Sequence, residues 1–178
     1  KPTVPISTNI SRAELSPDLG EAITQAVKAH GIPAACMAFE ITESTYATCP
    51  NDLEILLQTL HGLGFELLLD DFGSGYSSLS MLENADFDYL KIDRDFLVNI
   101  MGDTSAGTVA QAVIVLSHEL GISVIVEGIE TRDQALLMYD MGAEIAQGFY
   151  FNKPMPLSDF AALLDADTPP QDASDGEA

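Results

Sequence analysis

Cysteine is scarce in this sequence of 178 residues, which contains only Cys36 and Cys49. Two cysteines cannot build the disulfide framework that stabilises small secreted domains, and they fit a reducing cytoplasm. We expect both thiols to be inert packing residues. The low count excludes a disulfide-rich extracellular module.

Basic residues are scarce as well. Seven Lys and Arg stand against 28 Asp and Glu, and the formal net charge at pH 7 is −21. An acidic surface of this kind repels phosphate backbones and anionic lipid headgroups. The charge therefore argues against binding to long nucleic acid or to an anionic membrane by electrostatics alone.

Long apolar runs are missing too, since no stretch of about 18 uncharged apolar residues occurs. Residues 1–4 include neither an initiator methionine nor the apolar core of a signal peptide. We therefore expect a cytoplasmic segment cut from a longer protein, whose parent could be anchored in a membrane elsewhere.

The composition predicts a folded domain, because 47% of the residues are apolar and 20% are charged. Residues 165–178 depart from this composition, since they carry five acids, no base and no large apolar side chain. We expect a single domain over residues 1–164 and a disordered acidic tail over 165–178.

Short apolar runs alternate with helical patterns along residues 1–164. The six runs have the length of strands and lie at 6–10, 37–41, 65–69, 87–92, 122–126 and 145–151. The helical patterns between them lie at 19–27, 53–63, 108–120 and 132–141. This alternation predicts an α/β fold in which helices cover a parallel sheet.

Capping residues mark the ends of the predicted helices. Ser16 offers an N-cap followed by a proline, and Thr131 with Gln134 forms a capping-box pattern. Gly64 and Gly121 stand where two helical patterns stop, as C-terminal glycines do.

A polar residue stands at or near the end of each strand-like run. These residues are Asn9, Glu40, Asp70, Asp71, Lys91, Glu127 and Gln147. The alternation alone fits either an open doubly wound sheet or a closed barrel. In a barrel, the carboxyl ends of the parallel strands meet at one mouth, where active sites form. We therefore predict a modified TIM (β/α) barrel with these side chains at its mouth.

Four of these side chains are carboxylates, which cannot share a small pocket unless cations neutralise them. Lys91 supplies one positive charge, and divalent cations would supply the rest. Oxygen ligands favour hard ions such as Mg²⁺, Mn²⁺ or Ca²⁺. Two such ions, with Lys91 beside the attacking water, would suit the hydrolysis of a phosphate ester.

A glycine-rich loop follows Asp71. Gly73 and Gly75 flank a serine, and such a loop could fold over a phosphate and offer backbone N–H donors. Residues 71–73 also spell a protein-kinase tripeptide, but the other kinase motifs are missing from the sequence. The three histidines lack metal-ligand spacing, and we expect surface or packing roles for them.

Taken together, the motifs resemble the EAL-domain family of bacterial phosphodiesterases, which cleave cyclic di-GMP. The matching segments are 39–44 (FEITES), 70–79 (DDFGSGYSSL), 90–94 (LKIDR), 126–131 (VEGIET), 147–149 (QGF) and 153–154 (KP). The resemblance implies a TIM barrel that linearises cyclic di-GMP to pGpG with a two-metal site for Mg²⁺ or Mn²⁺.

The resemblance also implies roles for single residues. The implied metal ligands are Asn9, Glu40, Asp70, Asp71 and Glu127. Lys91 would orient the nucleophilic water, and Glu127 would be a ligand or a general base. Gln147 would lie near that water. Glu43 would anchor the loop over 72–78, which supports metal binding and dimerisation in the family.

One feature of the family is absent, because no Glu-Ala-Leu stretch occurs; the nearest spelling, at 21–23, lies inside a helical pattern. In the family, that strand carries a metal ligand and substrate contacts. We therefore expect the chain to begin about a third of the way into the barrel, with about six of the eight strands. Alone, it should be weakly active or inactive.

For the parent protein we expect a cyclic di-GMP phosphodiesterase that forms a homodimer and could carry an upstream sensor or GGDEF domain. One alternative is a degenerate receptor that binds cyclic di-GMP without cleaving it. Another is an interaction module built on an inactive barrel. The cleavage residues within this chain are intact, which favours the enzyme.

Overall fold

The computed structural model describes residues 4–16, 18–48, 50–73, 81–82, 86–94 and 104–166. Within these ranges, six strands form one sheet, and all neighbouring strands are parallel. The strands are β1 (Ile6–Asn9), β2 (Met37–Thr42), β3 (Glu66–Phe72), β4 (Tyr89–Ile92), β5 (Ser123–Val126) and β6 (Ile145–Ala146).

The order of the strands decides between the two predicted architectures. Each strand lies beside its neighbour in the sequence, from β1 to β6 without a reversal. A doubly wound sheet would reverse its order at a switch point. The sheet is therefore the half-barrel that the sequence predicts, and β1 and β6 are the edge strands of the described part.

Helices connect the strands and cover the outer face of the sheet. Those that the described ranges contain from end to end are α1 (Leu19–Ala29), α2 (Glu43–Thr48), α3 (Pro50–Gly62), α4 (Thr104–Glu119), α5 (Arg132–Asp140) and α6 (Leu157–Asp165), with 3₁₀ turns at Arg12–Glu14 and Ala34–Cys36. Leu57 and Leu60 of α3 are buried in one cluster with Leu67 and Leu69 of β3. No helix within the described ranges is long and apolar enough to cross a membrane.

The inner face of the sheet carries a separate apolar cluster. Ala38, Leu68 and Ile125, from three different strands, are buried there, and Tyr89 packs against them. Side chains in a strand return to the same face at every second residue. The residue two positions after each of these four residues therefore lies on the same inner face, nearer to the carboxyl ends of the strands.

Of the two predicted helix N-caps, the one at α5 is confirmed and the one at α1 is not. Thr131 and Gln134 form the predicted capping box at α5, which is confirmed. The prediction for α1 is wrong, because the helix begins at Leu19 with Asp18 at its N-cap. The chain first makes a turn in which the Leu19 N–H donates to the Ser16 carbonyl, and this turn separates Ser16 from the helix.

The last predicted strand is too long. β6 ends at Ala146 rather than at position 151. Beyond it the chain turns, because the N–H groups of Phe151 and Asn152 both donate to the carbonyl of Gly148. A run rich in apolar residues such as 145–151 does not distinguish a strand from a turn.

Some predictions concern residues outside the described ranges. These include Cys49, Gly75 and the acidic tail from residue 167 onward. Cys36 lies within them, where its thiol is free and half-buried. The boundary at 164 and 165 falls at the end of α6.

Candidate functional site

Four charged side chains occupy the inner face of the sheet at its carboxyl end. Glu40 lies in β2, Asp70 in β3, Lys91 in β4, and Glu127 directly follows β5. Each is two positions beyond a member of the apolar inner cluster, so the alternation of a strand places all four side by side. We call Glu40, Asp70, Lys91 and Glu127 the carboxyl-end cluster.

Lys91 is the centre of this cluster. Its Nζ lies 2.5 Å from Glu40 Oε2, 2.8 Å from Glu127 Oε1 and 3.1 Å from Asp70 Oδ1. The Lys91 side chain is 6% exposed, whereas that of Glu127 is 23% exposed. One buried ammonium therefore faces three carboxylates, so the formal charge of the cluster is negative. Glu127 is the member of the cluster that is most accessible to solvent.

The contacts within the cluster shift the pKa values of Lys91 and Glu40 in opposite directions. Burial lowers the pKa of Lys91, but hydrogen bonds to Glu127 and Glu40 and the charge of Asp70 raise it well above the ordinary value. Burial raises the pKa of Glu40, but contacts with Lys91, Ser7 and Asp70 together lower it to below the ordinary value. These shifts favour a protonated Lys91 beside an ionised Glu40.

A β-bulge presents Asp70 and Asp71 in different directions. The pairing of β3 with β4 shifts register between Leu69 and Phe72, and Asp71 has a φ of 58°. Aspartate is one of the few residues that adopts this left-handed conformation readily. The Asp71 N–H donates to Asp70 Oδ1 at 3.0 Å, which orients that carboxylate toward Lys91.

Asp71 itself is exposed at the rim of the cluster. Its pKa is raised, first by burial and then by the negative charges of Asp70 and Asp93, with Lys91 opposing them. A carboxylate that crowds other carboxylates in this way would be stabilised by an added cation.

Two predicted residues flank the cluster without a described side-chain contact to it. Asn9 of β1 is the register partner of Glu40 of β2. Gln147 directly follows β6, and its N–H donates to the Val126 carbonyl at 2.8 Å. Both side chains are exposed at the same end of the sheet. They extend the row of strand-end residues to both edges.

Glu43 has a different position, since it lies at the start of α2 and is fully buried. Its Oε2 accepts a hydrogen bond from the Gly73 N–H at 3.1 Å. This bond ties the first glycine of the glycine-rich loop to α2. The remainder of that loop, from 74 to 78, lies outside the described residues.

Sequence reasoning missed Ser7 and Arg94. The Ser7 side chain helps to lower the pKa of the Glu40 carboxyl group. Its signal was available, because Ser7 is two residues before Asn9 and so shares its face of β1. Arg94 pairs with Glu130 at 2.8 Å beside the cluster, and no spacing rule links two residues on different connections.

The donor set of the site suits a hard divalent cation. Its side chains offer carboxylate and amide oxygens, which are the ligands that Mg²⁺ and Mn²⁺ prefer. Among the described residues, no group of three or more His, Cys, Asp and Glu is arranged around a common metal position. In this arrangement the Lys91 ammonium is the cation that the carboxylates contact.

A cavity of about 360 Å³ opens beside Gln147. Its lining includes Phe149, Asn152 and Lys153. The Lys153 Nζ lies 5.8 Å from the centre of the Phe149 ring, and that ring is 58% exposed. An aromatic face, an amide and a cation next to Gln147 are features that can contact a flat base and a phosphate.

Comparison with known proteins identifies the family to which this architecture corresponds. The family model described as "EAL domain" matches residues 1–154. The cyclic di-GMP phosphodiesterase NbdA of Pseudomonas aeruginosa is 34% identical over 160 residues, and RocR of the same organism, also named a cyclic di-GMP phosphodiesterase, is 36% identical over 157. These alignments cover 90% and 87% of this chain.

A solved structure gives the same result for the fold. The PaMucR phosphodiesterase, determined as a c-di-GMP complex, superposes with a TM-score of 0.82 at 29% identity over 88% of this chain and 64% of that one. The present chain spans only 20% of NbdA and 40% of RocR. It therefore corresponds to part of proteins that are much longer.

Proposed function

The chain belongs to the EAL domain family, and on that premise we propose that its protein is a metal-dependent phosphodiesterase that hydrolyses cyclic di-GMP to linear pGpG. One observation carries the proposal. Three carboxylates converge on Lys91 at the carboxyl end of a half-barrel, and their charge exceeds that of the lysine. NbdA and RocR, which carry the activity in their names, support the choice of substrate.

We assign the metal site to the oxygen donors of the strand ends. The proposed ligands are Asn9, Glu40, Asp70, Asp71 and Glu127. Mg²⁺ or Mn²⁺, in a two-metal site, would polarise a phosphoryl oxygen and lower the pKa of a bound water. The raised pKa of Asp71 supports this assignment, because a carboxylate crowded by Asp70 and Asp93 favours an added positive charge.

The other residues act on the water and the phosphodiester. Lys91 keeps its proton and holds a fixed positive charge where negative charge develops during attack on phosphorus. Glu127, the most exposed carboxylate of the carboxyl-end cluster, accepts the proton of the attacking water. Lys91 also orients that water, and Gln147 lies near it. Glu43 holds the loop that follows Asp71 through Gly73.

The cavity beside Gln147 is the proposed contact for one half of the dinucleotide. Phe149 would stack on a base and Lys153 would approach a phosphate, which compensates for the acidic surface of the chain. We further propose that the protein works in the bacterial cytoplasm as a homodimer, and that the parent protein could carry an upstream sensor or GGDEF domain.

Chromatography of the reaction products tests the proposal. The protein, together with any sequence that its gene places before Lys1, is incubated with cyclic di-GMP and Mg²⁺ or Mn²⁺. We expect pGpG as the product, no turnover with a chelator, and a loss of about 100-fold or more in Asp70→Asn. Intact cyclic di-GMP in all wild-type samples would exclude the enzyme.

A receptor that binds cyclic di-GMP without cleaving it is the second candidate. The observation that favours it is the Lys91 ammonium, which already contacts all three carboxylates of the cluster. Calorimetry in the presence of a chelator separates the two functions. Tight binding without metal and without turnover would support the receptor, whereas binding that requires the metal would support the phosphodiesterase.

A further inference from the structure

Two ion pairs connect the carboxyl end of β4 and the residues after it to the segment that follows β5. Lys91 contacts Glu127 at 2.8 Å, and three residues further along both chains Arg94 Nη2 contacts Glu130 Oε1 at 2.8 Å. Lys91 of the first pair is buried and Glu127 is half-buried, whereas the second pair is at the rim, where Arg94 is 56% exposed and Glu130 is 42% exposed. Gly128 and Ile129, which follow Glu127 in the turn, lie between the two pairs.

The aliphatic part of Arg94 packs directly over Gly128. A Cβ atom on Gly128 would lie 2.6 Å from Arg94 Cβ and 2.7 Å from Arg94 Cγ. Gly128 also has a φ of 71°, which side chains rarely tolerate. The packing and the backbone conformation both require glycine at 128, and the arginine therefore fits this turn closely.

The opposite flank of the turn is held by backbone hydrogen bonds. The Ile129 N–H donates to the Gln147 carbonyl at 3.1 Å, and the Tyr150 N–H donates to the Ile129 carbonyl at 3.0 Å. On the β4 side, the Glu127 N–H donates to the Ile92 carbonyl at 3.0 Å. Gly128 lies between these fixed points, and its backbone has more rotational freedom than that of any other residue type.

We propose that Arg94 is a positioning residue for Glu127. By packing over Gly128 and pairing with Glu130, it restricts the turn and so fixes the Glu127 carboxylate relative to Lys91 and the proposed metal ligands. The inference rests on the proposed function for the metal. A rim ion pair contributes little to global stability, so its effect should be confined to the local geometry of the turn.

Mn²⁺ binding without nucleotide is the first test, measured by calorimetry and by electron paramagnetic resonance on the intact protein. We expect Arg94→Ala and Glu130→Gln each to weaken Mn²⁺ binding about tenfold, as the loss of groups that orient metal ligands does. Arg94→Lys should retain most of the affinity, because it keeps the charge and much of the aliphatic stem. Lys28→Ala, at the exposed end of α1, is the charge-matched control.

The double variant distinguishes a shared role from two separate ones. If Arg94 and Glu130 act only through their mutual ion pair, the double variant Arg94→Ala with Glu130→Gln should bind Mn²⁺ no more weakly than either single variant. Additive losses would overturn the shared role. An unchanged Mn²⁺ affinity in Arg94→Ala, with weaker binding of cyclic di-GMP, would assign Arg94 to substrate contact and overturn the proposal.

Hydrogen exchange of the metal-free protein provides a readout that does not depend on the metal. We expect faster exchange at the Gly128 and Ile129 amides in Arg94→Ala, with the melting temperature within about 2 °C of wild type. Unchanged exchange would overturn the positioning role. If wild type fails to bind Mn²⁺, the proposed function fails, while the exchange result still decides the role of Arg94.

Discussion

The two ends of the sheet use acidic residues in different ways. At the carboxyl end, three carboxylates share one ammonium in the carboxyl-end cluster. At the amino end, Asp88 accepts a hydrogen bond from the Leu67 N–H of β3, and Glu144 accepts one from the Val124 N–H of β5, both at 2.8 Å. These acids complete the backbone pairing at the start of a strand.

Each amino-end acid also has a histidine partner. His61 lies 3.5 Å from Asp88, and His118 lies 2.8 Å from Glu144. Both histidines are in the last turn of a helix that leads into the paired strand. We call His61 with Asp88, and His118 with Glu144, the amino-end ion pairs.

The comparison separates acids that complete the fold from acids whose negative charge the fold does not balance. Every carboxylate of the amino-end ion pairs has a backbone donor and a nearby histidine, so its charge is satisfied within the fold. The carboxyl-end cluster has more negative charge than its lysine can balance, and its pairing depends on one buried side chain. Excess charge that folding alone does not require is typical of a site for a cation or a substrate.

Replacement of Lys91 should have the largest effect. Lys91→Met leaves three carboxylates around a buried methionine, and removal of one partner from a buried ion pair costs about 3–5 kcal/mol. Thermal and urea denaturation would measure the loss in the free energy of unfolding. Mn²⁺ should then raise the melting temperature of Lys91→Met more than that of wild type, because it supplies the missing positive charge.

Lys28→Met is the matched control for this variant, since Lys28 is exposed at the end of α1. It should change the free energy of unfolding by less than about 0.5 kcal/mol. Equal effects at the two lysines would remove the distinction between the cluster and an ordinary charged surface.

Crowding of the backbone at the carboxyl end gives a second prediction. A Cβ atom on Gly148 would lie 2.0 Å from the Ile129 carbonyl oxygen, so Gly148→Ala must displace the turn that follows Glu127. We expect a loss of about 1–3 kcal/mol in the free energy of unfolding, as overpacking causes elsewhere. Urea denaturation would measure it.

Gly62→Ala is the comparison for this substitution, because Gly62 ends α3 with no atom within 4 Å of an added Cβ. Alanine there should be neutral or stabilising by about 0.5–1 kcal/mol. A destabilisation of Gly62→Ala equal to that of Gly148→Ala would show that crowding is not the cause.

Loss of an amino-end acid should have a smaller effect, and only on stability. Asp88→Ala or Glu144→Ala removes the acceptor for one strand N–H, which should cost about 1–2 kcal/mol because these groups are partly exposed. Mn²⁺ affinity should stay at the wild-type value. A clear fall in Mn²⁺ affinity would contradict the division between the two ends.

The smallest expected effect is a dependence of stability on pH. Burial raises the pKa of Glu144. The contacts with the Val124 N–H and His118 oppose this effect, and the pKa lies below the ordinary value of 4.5. The stabilisation is therefore complete above about pH 4.5 and is lost as the pH falls through the lower folded pKa. The difference in melting temperature between wild type and Glu144→Gln should shrink across this acidic range.

A difference that stays constant down to about pH 3 would contradict the assignment of the stabilisation to ionised Glu144. A difference that grows on acidification would mean that the pH dependence has the opposite sign to the expected one. Either result would leave the amino-end ion pairs without an electrostatic role.

The half-barrel could be predicted because its strands carry two signals that agree. Apolar residues mark each strand, and a polar residue near each strand end indicates a common mouth. The end of β6 could not be predicted, since Phe149 and Phe151 are as apolar as strand residues but lie in turns. Composition does not reveal which apolar residues have backbone partners.

The members of the site could be predicted better than their mutual geometry. Glu40, Asp70, Lys91 and Glu127 were identified by their positions at strand ends, and the structure brings these four together. The contact of Arg94 with Glu130 depends on how two connections pack across Gly128. Packing of this kind has no signature in the spacing of residues along the chain.

The turnover of cyclic di-GMP by two glutamate variants tests the central claim most directly. Glu127→Gln and Glu144→Gln make the same chemical change at opposite ends of the sheet. The account predicts a loss of at least about 100-fold in turnover for Glu127→Gln and a change of less than about twofold for Glu144→Gln. Wild-type turnover in Glu127→Gln, or an equal loss in both variants, would contradict it.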